Sequence, residues 1–328
     1  MEKELIKFSI IMPVYDSSKT LERSIGSIRS QSYTNWELIV VDDGSKDNSY
    51  ELLKYYGSSD SRIKVFQQNN RGPGAARNRG MEYCVGDYIT FLDSDDYWDL
   101  DYLMYIYKEA KNKDADYIFT DRIYELQNGQ VIKYSSNYAY RNCSKYEIIC
   151  KQMTGLIPWG MGKAFKKDIL SVIHNRFSDL NVGEEAIISF DILNNSKIIK
   201  FVKKPIYHYV QNPNGQHKKG EIDPWGSVVR EMKRHLETIG QFDMYEKNVN
   251  SFALRALCIS LYRISCEYRL SEALKYMRQK NDEYRKLYSF SELNINSLDK
   301  ASIIINILTK MKLFFLIYFI SKVRNKRR

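Results

Sequence analysis

The run Asp93-Ser94-Asp95-Asp96 places three carboxylates side by side. Carboxylates this close repel one another unless a cation sits among them. Mg²⁺ and Mn²⁺ take hard oxygen ligands, commonly one or two carboxylates together with the phosphates of a substrate. Asp93 and Asp95 are therefore candidate metal ligands in a site that holds a nucleotide diphosphate. An acidic turn capping a helix that begins near Asp99 would account for the same residues without any ligand.

The elements around this run decide which way it faces. Tyr88–Leu92 is a short apolar run and reads as a buried strand. Phe8–Val14 reads as a first strand, followed by a helix with Leu21, Ile25 and Ile28 on one face. Trp36–Val41 is another strand and ends in Asp42-Asp43-Gly44-Ser45. Residues 47–56 read as helix and Ile63–Phe66 as strand. Asn69 to Gly80 is a Gly-rich turn opening a helix that runs to about Cys84. A helix from about Asp99 to Lys111 and a strand at Tyr117–Thr120 follow. Regular strand–helix alternation predicts a mostly parallel, doubly wound sheet. The acidic clusters at 42–43 and 93–96 then share its carboxyl edge, where such sheets bind ligands. The first strand–helix turn has no Gly-x-Gly-x-x-Gly, and no Gly-Lys-Ser/Thr occurs anywhere. A dinucleotide fingerprint and a Walker A loop are thus excluded. Phosphate charge must be met mainly by a metal.

Four ordered stretches carry a resemblance: Ser9–Tyr15, Glu37–Ser45, Gly72–Gly80 and Phe91–Asp96. They resemble the family 2 glycosyltransferases of GT-A fold, and the likeness continues more weakly to about residue 217. It implies a Rossmann-like, mostly parallel α/β sheet flanked by helices, with a C-terminal helical region. It implies an inverting transfer of a sugar from a UDP-type donor to a glycan hydroxyl, with Mn²⁺ or Mg²⁺. By the same resemblance, Pro13 and Tyr15 pack against the nucleotide base, and Asp43 accepts a hydrogen bond from uracil. Arg77 and Asn78 line the nucleotide pocket. Asp95 is the direct metal ligand, with Asp93 towards ribose or a metal-bound water. Ile157-Pro158-Trp159-Gly160 with Lys163 matches the acceptor side. The family's Gly-Glu-Asp, whose Asp is the catalytic base, reads Gly183-Glu184-Glu185 here. Glu185 takes the base position, one methylene longer, with Glu184 as the fallback. An acidic pair at a helix N-terminus is the plain alternative. His208 and His217 are further candidates for a metal or phosphate contact.

The 328 residues are 44% hydrophobic and 27% charged, a globular composition. Five scattered cysteines without a Cys-x-x-Cys pair suggest neither zinc nor a disulfide framework. With no signal peptide in view, a cytoplasmic setting is expected. Residues 1–120 carry a net charge of −5 and the remainder +15. That basic half favours an anionic partner. Its charges are scattered and no nucleic-acid motif is visible, which argues against a nucleic-acid-binding protein. A non-catalytic transferase-like scaffold is the other alternative.

The expected organisation is a catalytic domain over 1–220 and a helical region over 221–328. Residues 301–320 are strongly apolar, and a basic tail runs from Ser321 to Arg328. Lys310 and Lys312 interrupt the stretch, and a charge at a bilayer centre costs at least ~2.5 kcal/mol. Leu313–Ile320 is far short of the roughly 20 residues a span needs. The stretch reads as a helix lying in the interface at the inner face of the cell membrane, its tail on anionic lipid. A lipid-linked acceptor in capsule, exopolysaccharide or lipopolysaccharide synthesis would follow. Docking on the protein's own core, or in a homodimer, is the alternative.

Overall fold

The computed structural model describes residues 5–173, 176–178, 180, 182–211 and 221–326. The chain divides into two units. One comprises Met1–Lys145, Gly160–Asp179 and Glu184–Lys218, the other Tyr146–Trp159, Leu180–Gly183 and Lys219–Arg328.

In the first unit, β1 (Phe8–Val14) and β2 (Trp36–Asp42) are buried at every residue. A parallel strand covered on both faces has no polar side, so its sequence is a near-continuous apolar run; the interior exceptions, Ser9 and Glu37, satisfy each other, Ser9 Oγ donating to Glu37 Oε1 at 2.6 Å. With β3 (Ile63–Gln67) and β4 (Tyr88–Phe91) they form a parallel array in the order β3-β2-β1-β4. α1 (Leu21–Arg29), α2 (Ser49–Ser59) and α3 (Pro73–Glu82) are the connecting helices. α3 approaches unusually closely. A Cβ on Gly80 would lie 2.5 Å from Ile11 Cγ2, and one on Gly74 would lie 2.5 Å from the Ser178 carbonyl oxygen. The glycines of the Gly-rich stretch therefore let this helix seat against β1 and against Ser178.

Beyond β4 the sheet is mixed, in the order β4-β8-β6-β9-β5, with β7 on β6. The strands are β5 (Tyr97–Trp98), β6 (Tyr117–Leu126), β7 (Val131–Ser135), β8 (Lys163–Lys166) and β9 (Ile199–Gln211), with α4 (Tyr102–Lys113) after β5. β6 and β9 are parallel; β5, β7 and β8 join antiparallel. A turn at Gln127–Gln130 closes the β6–β7 hairpin, with Gly129 at φ 82°. Pro205 falls where the β6–β9 register shifts, as suits a residue without an N–H for the ladder.

The second unit contains α5 (Lys145–Met153), which starts at the unit boundary. After α6 (Ala186–Asn195) of the first unit come α7 (Gly226–Thr238), α8 (Phe242–Glu267), α9 (Leu270–Leu287), α10 (Lys300–Lys310) and α11 (Phe314–Lys326). α8 is the central helix, packed by α7, α9, α10 and α11. Asp223 fastens this bundle, accepting hydrogen bonds from Ser260 Oγ (2.8 Å), Tyr284 Oη (2.7 Å) and Lys280 Nζ (3.2 Å).

The single helix expected over 301–320 is corrected to two. The chain breaks at 311–313, where Lys312 takes φ 57°. α11 packs on α8 and α9, burying Phe314 and Ile317. Arg285 of α9 holds α10 through Asn306 Oδ1 (3.1 Å) and Thr309 Oγ1 (2.9 Å). Among the described residues no helix is long and apolar enough to cross a membrane.

Candidate active site

The three carboxylates after β4 solve their mutual repulsion in three ways. Asp93 pairs with a guanidinium: its Oδ1 lies 2.7 Å from Arg77 Nη2. Asp96 turns inward, where it is 1% exposed and accepts hydrogen bonds from Tyr207 Oη (2.7 Å) and the Val210 amide (2.8 Å). Burial, then Asp95 and Asp93, raise its pKa well above the ordinary carboxylate range. Asp95 has neither solution. Burial and then the Asp93 charge push it up to about 6. Its backbone is held, with Arg23 Nη2 donating to its carbonyl at 2.7 Å. Ser24 Oγ, on α1, reaches the carbonyls of Ser94 (2.8 Å) and Asp96 (2.6 Å), and Ser94 Oγ meets Ser17 Oγ at 2.7 Å. The loop is thus pinned by its main chain, and the Asp95 carboxylate has a hydrogen bond from its own amide and the attraction of Arg23 and Arg77, with no side-chain ion pair among the described residues.

Arg77 joins this cluster to a second one. Its Nη1 lies 2.5 Å from Glu184 Oε1, and its side chain is 5% exposed. The ring of Phe177 sits 5.3 Å from the guanidinium. Glu184 and Glu185 lead into α6, where the helix dipole favours acidic residues. Burial, and next the Glu184 charge, raise the Glu185 pKa above the ordinary carboxylate range. Two cations complete this side. Lys163, on β8, is buried and held well below its ordinary pKa by desolvation and by Arg122, while Glu185 opposes the shift. Arg122, on β6, donates to the Gly160 carbonyl at 2.5 Å. A Cβ on Gly160 would stand 3.3 Å from Glu185 Oε1. Glycine there leaves room for the carboxylate.

On the other side, Asp43 ties the end of β2 to the Gly-rich loop. Its Oδ1 accepts from Gln68 Nε2 (2.8 Å) and the Arg71 amide (2.9 Å), and its Oδ2 from the Gly72 amide (2.8 Å). Each carboxylate oxygen has two lone pairs, so Oδ2 keeps one for a further donor. Asp16, at φ 47°, accepts from the Lys46 amide at 2.7 Å, holding the β1 loop beside the β2 loop.

The sequence profile of glycosyl transferase family 2 matches residues 9–173, about half the chain. The chain belongs to this family. Glycosyltransferase GlyA of Streptococcus pneumoniae serotype 4 is 32% identical over 215 residues, 62% of this chain and 30% of GlyA. This chain therefore spans less than a third of that relative. Glycosyltransferase GlyG of the same organism is 28% identical over 325 residues, 94% of this chain and 95% of GlyG. The crystal structure of S. aureus TarS in complex with UDP-GlcNAc aligns with a TM-score of 0.66 at 17% identity, covering 98% of this chain and 93% of that one. The GT-A fold expected from the motifs is the fold observed.

For a family 2 glycosyltransferase, the arrangement brings most of the anticipated residues together and assigns some of them other partners. Asp93, Arg77 and Glu184 form one ion-paired chain, with Asp95 and Glu185 beside it. Pro13 is buried within β1, and Tyr15 follows it, 37% exposed, at the strand end. Asn78 gives its amide to the backbone: Nδ2 donates to the Phe177 carbonyl and Oδ1 accepts from the Phe177 amide, both at 2.9 Å. His208, on β9, pairs with Tyr97 of β5 in the sheet. Its ring stacks on Tyr97 and reaches Asp99 Oδ1 (2.9 Å) and Glu125 Oε2 (3.2 Å). His217 lies outside the described residues. Among the described residues, no three His, Cys, Asp or Glu groups form a metal cage. Arg122 and Arg23 escaped the sequence reading. Arg122 stands among other polar residues of β6, Asp121 and Glu125, and Arg23 lies on an amphipathic helix, so neither stands out in the chain.

Proposed function

We propose that this family 2 transferase moves a sugar, with inversion, from a UDP-linked donor to a hydroxyl of a glycan acceptor in cell-surface polysaccharide synthesis. The observation that carries the reading is Arg77, which ties the donor-side carboxylate Asp93 to Glu184, a residue 107 positions further along the chain than Arg77 itself. A carboxylate pair for the donor and a carboxylate pair for the acceptor thereby share one site.

Each side chain then has a task. Tyr15 and Pro13 flank the base, and the remaining lone pair of Asp43 Oδ2 accepts from the uracil N–H. A divalent ion fits the donor set: Asp95 is a hard oxygen ligand without a side-chain ion pair among the described residues, and Asp93 lies next to it. With too few protein groups for a cage, Mn²⁺ or Mg²⁺ would take its other ligands from the diphosphate and water. Such an ion supplies Lewis-acid stabilisation of the departing diphosphate. Glu185 takes the acceptor proton as the acceptor oxygen bonds to the anomeric carbon. The bond from that carbon to the phosphate oxygen breaks, and its electron pair leaves with UDP. Glu184, held by Arg77, lies beside Glu185, and its charge raises the basicity of Glu185. The UDP-GlcNAc bound by TarS belongs to the donor class proposed here. A lipid-linked acceptor and a peripheral position on the cytoplasmic face of the membrane are part of the same reading, supported by the apolar, basic C-terminus.

A thermal-shift panel of nucleotide sugars with Mn²⁺ tests it. A UDP-sugar at about 100 times its Kd should stabilise the protein by ~2.7 kcal/mol. No response to any nucleotide sugar, with no hydrolysis of any of them, would leave a non-catalytic scaffold instead.

A further inference from the structure

We propose that the outer faces of α10 and α11 form a docking surface for an anionic lipid headgroup layer, with α11 seated by one face on its own bundle. This deepens the peripheral-membrane reading above and names the surface that makes the contact. The two faces of α11 are distinct. Phe314, Ile317 and Ser321 recur at i, i+3 and i+7 and are buried. Phe315, Phe319, Ile320 and Val323 recur on the opposite side and stand 45 to 57% exposed. α10 adds Ile304 and Ile307, both more than half exposed. A row of large apolar side chains left in water by two neighbouring helices is a docking surface rather than scattered exposure.

Charge selects the occupant. From Lys300 to the end of the chain there is no Asp or Glu, while Lys310, Lys312, Lys322 and Arg324 are basic. A second copy of the chain would bring this basic surface against itself. An anionic headgroup layer offers both the counter-charge and an apolar boundary for Phe315 and Phe319 to enter. The buried face explains why the helix persists without lipid: α11 is folded onto α8 and α9 beforehand, so membrane contact does not have to order it.

The full-length protein is sedimented with vesicles of phosphatidylcholine, with and without phosphatidylglycerol, at low and high salt. It should pellet with the anionic vesicles and be released by salt. Phe315→Ser, Phe319→Ser and Ile320→Ser together should weaken that binding by roughly tenfold or more with the melting temperature unchanged, since these side chains touch solvent. Lys322→Gln with Arg324→Gln should weaken it by about tenfold or more and flatten its salt dependence. Wild type remaining in the supernatant with anionic vesicles at low salt overturns the proposal. So does equal, salt-insensitive binding to both vesicles, or a dimer in light scattering that the serine variant dissolves. Calorimetry with UDP and Mn²⁺ separates this from the catalytic reading. Vesicle binding without UDP binding sinks the transferase assignment alone, and UDP binding without vesicle binding sinks this surface alone.

Discussion

Asp95→Asn should make the protein more stable while removing its activity. The Asp95 carboxyl is raised from 3.8 to about 6, chiefly by burial and then by the Asp93 charge. That gap is worth about 3 kcal/mol of unfavourable interaction in the ionised form. Because the folded-state value lies above the unfolded one, the folded chain binds the proton more tightly. The cost is absent below about pH 3.8, grows as pH rises, and is complete above about pH 6. Asparagine is nearly isosteric and neutral throughout. At about pH 7.5 the variant should therefore gain up to about 3 kcal/mol, reduced by whatever its buried amide leaves unbonded. For a unit of this size that is roughly 5–10 °C in Tm. The gain should close as pH falls towards 4. Scanning fluorimetry of both proteins in EDTA, across this pH range, measures it. A variant no more stable than wild type near neutral pH, or an offset independent of pH, would refute the electrostatic account of Asp95. In the presence of Mn²⁺ the same variant should lose transfer and Mn²⁺-dependent UDP binding. Undiminished Mn²⁺-dependent activity would remove Asp95 from the metal site.

Glu185→Gln should lower turnover by ~10² or more with donor binding nearly unchanged, because the amide cannot accept the acceptor's proton. An inactive Glu184→Gln beside an active Glu185→Gln would move the base by one position. The pH profile of wild-type kcat/KM should rise with pH on a limb above the ordinary carboxylate range, since burial favours protonated Glu185 and the base must be ionised; a limb near pH 4 would exclude Glu185. Arg77→Ala strands Glu184, which is buried, next to an unpaired Asp93, and should cost about 3–5 kcal/mol of stability. A melting temperature within experimental error of wild type would show the pair to be dispensable. Gly160→Ala should reduce kcat more than stability, because its Cβ would stand 3.3 Å from Glu185 Oε1 and the carboxylate must shift; unchanged kcat would mean that the position of Glu185 is not set there.

What the sequence by itself determined is the parallel half of the sheet and the edge where the carboxylates gather. β1, β2 and β4 are covered on both faces, so they are mainly apolar runs with no polar side, and a strand's end fixes where the next residues emerge. Gly74 and Gly80 were legible as a special turn and helix; their close approaches to Ser178 and Ile11 were not. The antiparallel strands were not legible: β5 has two residues, β7 is exposed along almost all its length, and β8 has a lysine at each end, so none reads as a buried apolar run. The break at Lys312 was hidden because apolar residues continue through it; only packing on α8 and α9 divides the stretch into a buried and an exposed face. Within the site, three adjacent aspartates look alike in one dimension. Tertiary structure gave Asp93 to Arg77, gave Asp96 to Tyr207 and Val210, and left Asp95 without a side-chain ion pair among the described residues. It also turned Asn78 to Phe177 and set Lys163 and Arg122 around Glu185. These choices depend on which partner lies within about 3 Å once strands and helices distant in sequence are packed. Such proximity leaves no periodic trace in the chain, whereas burial of a strand or a helix face does.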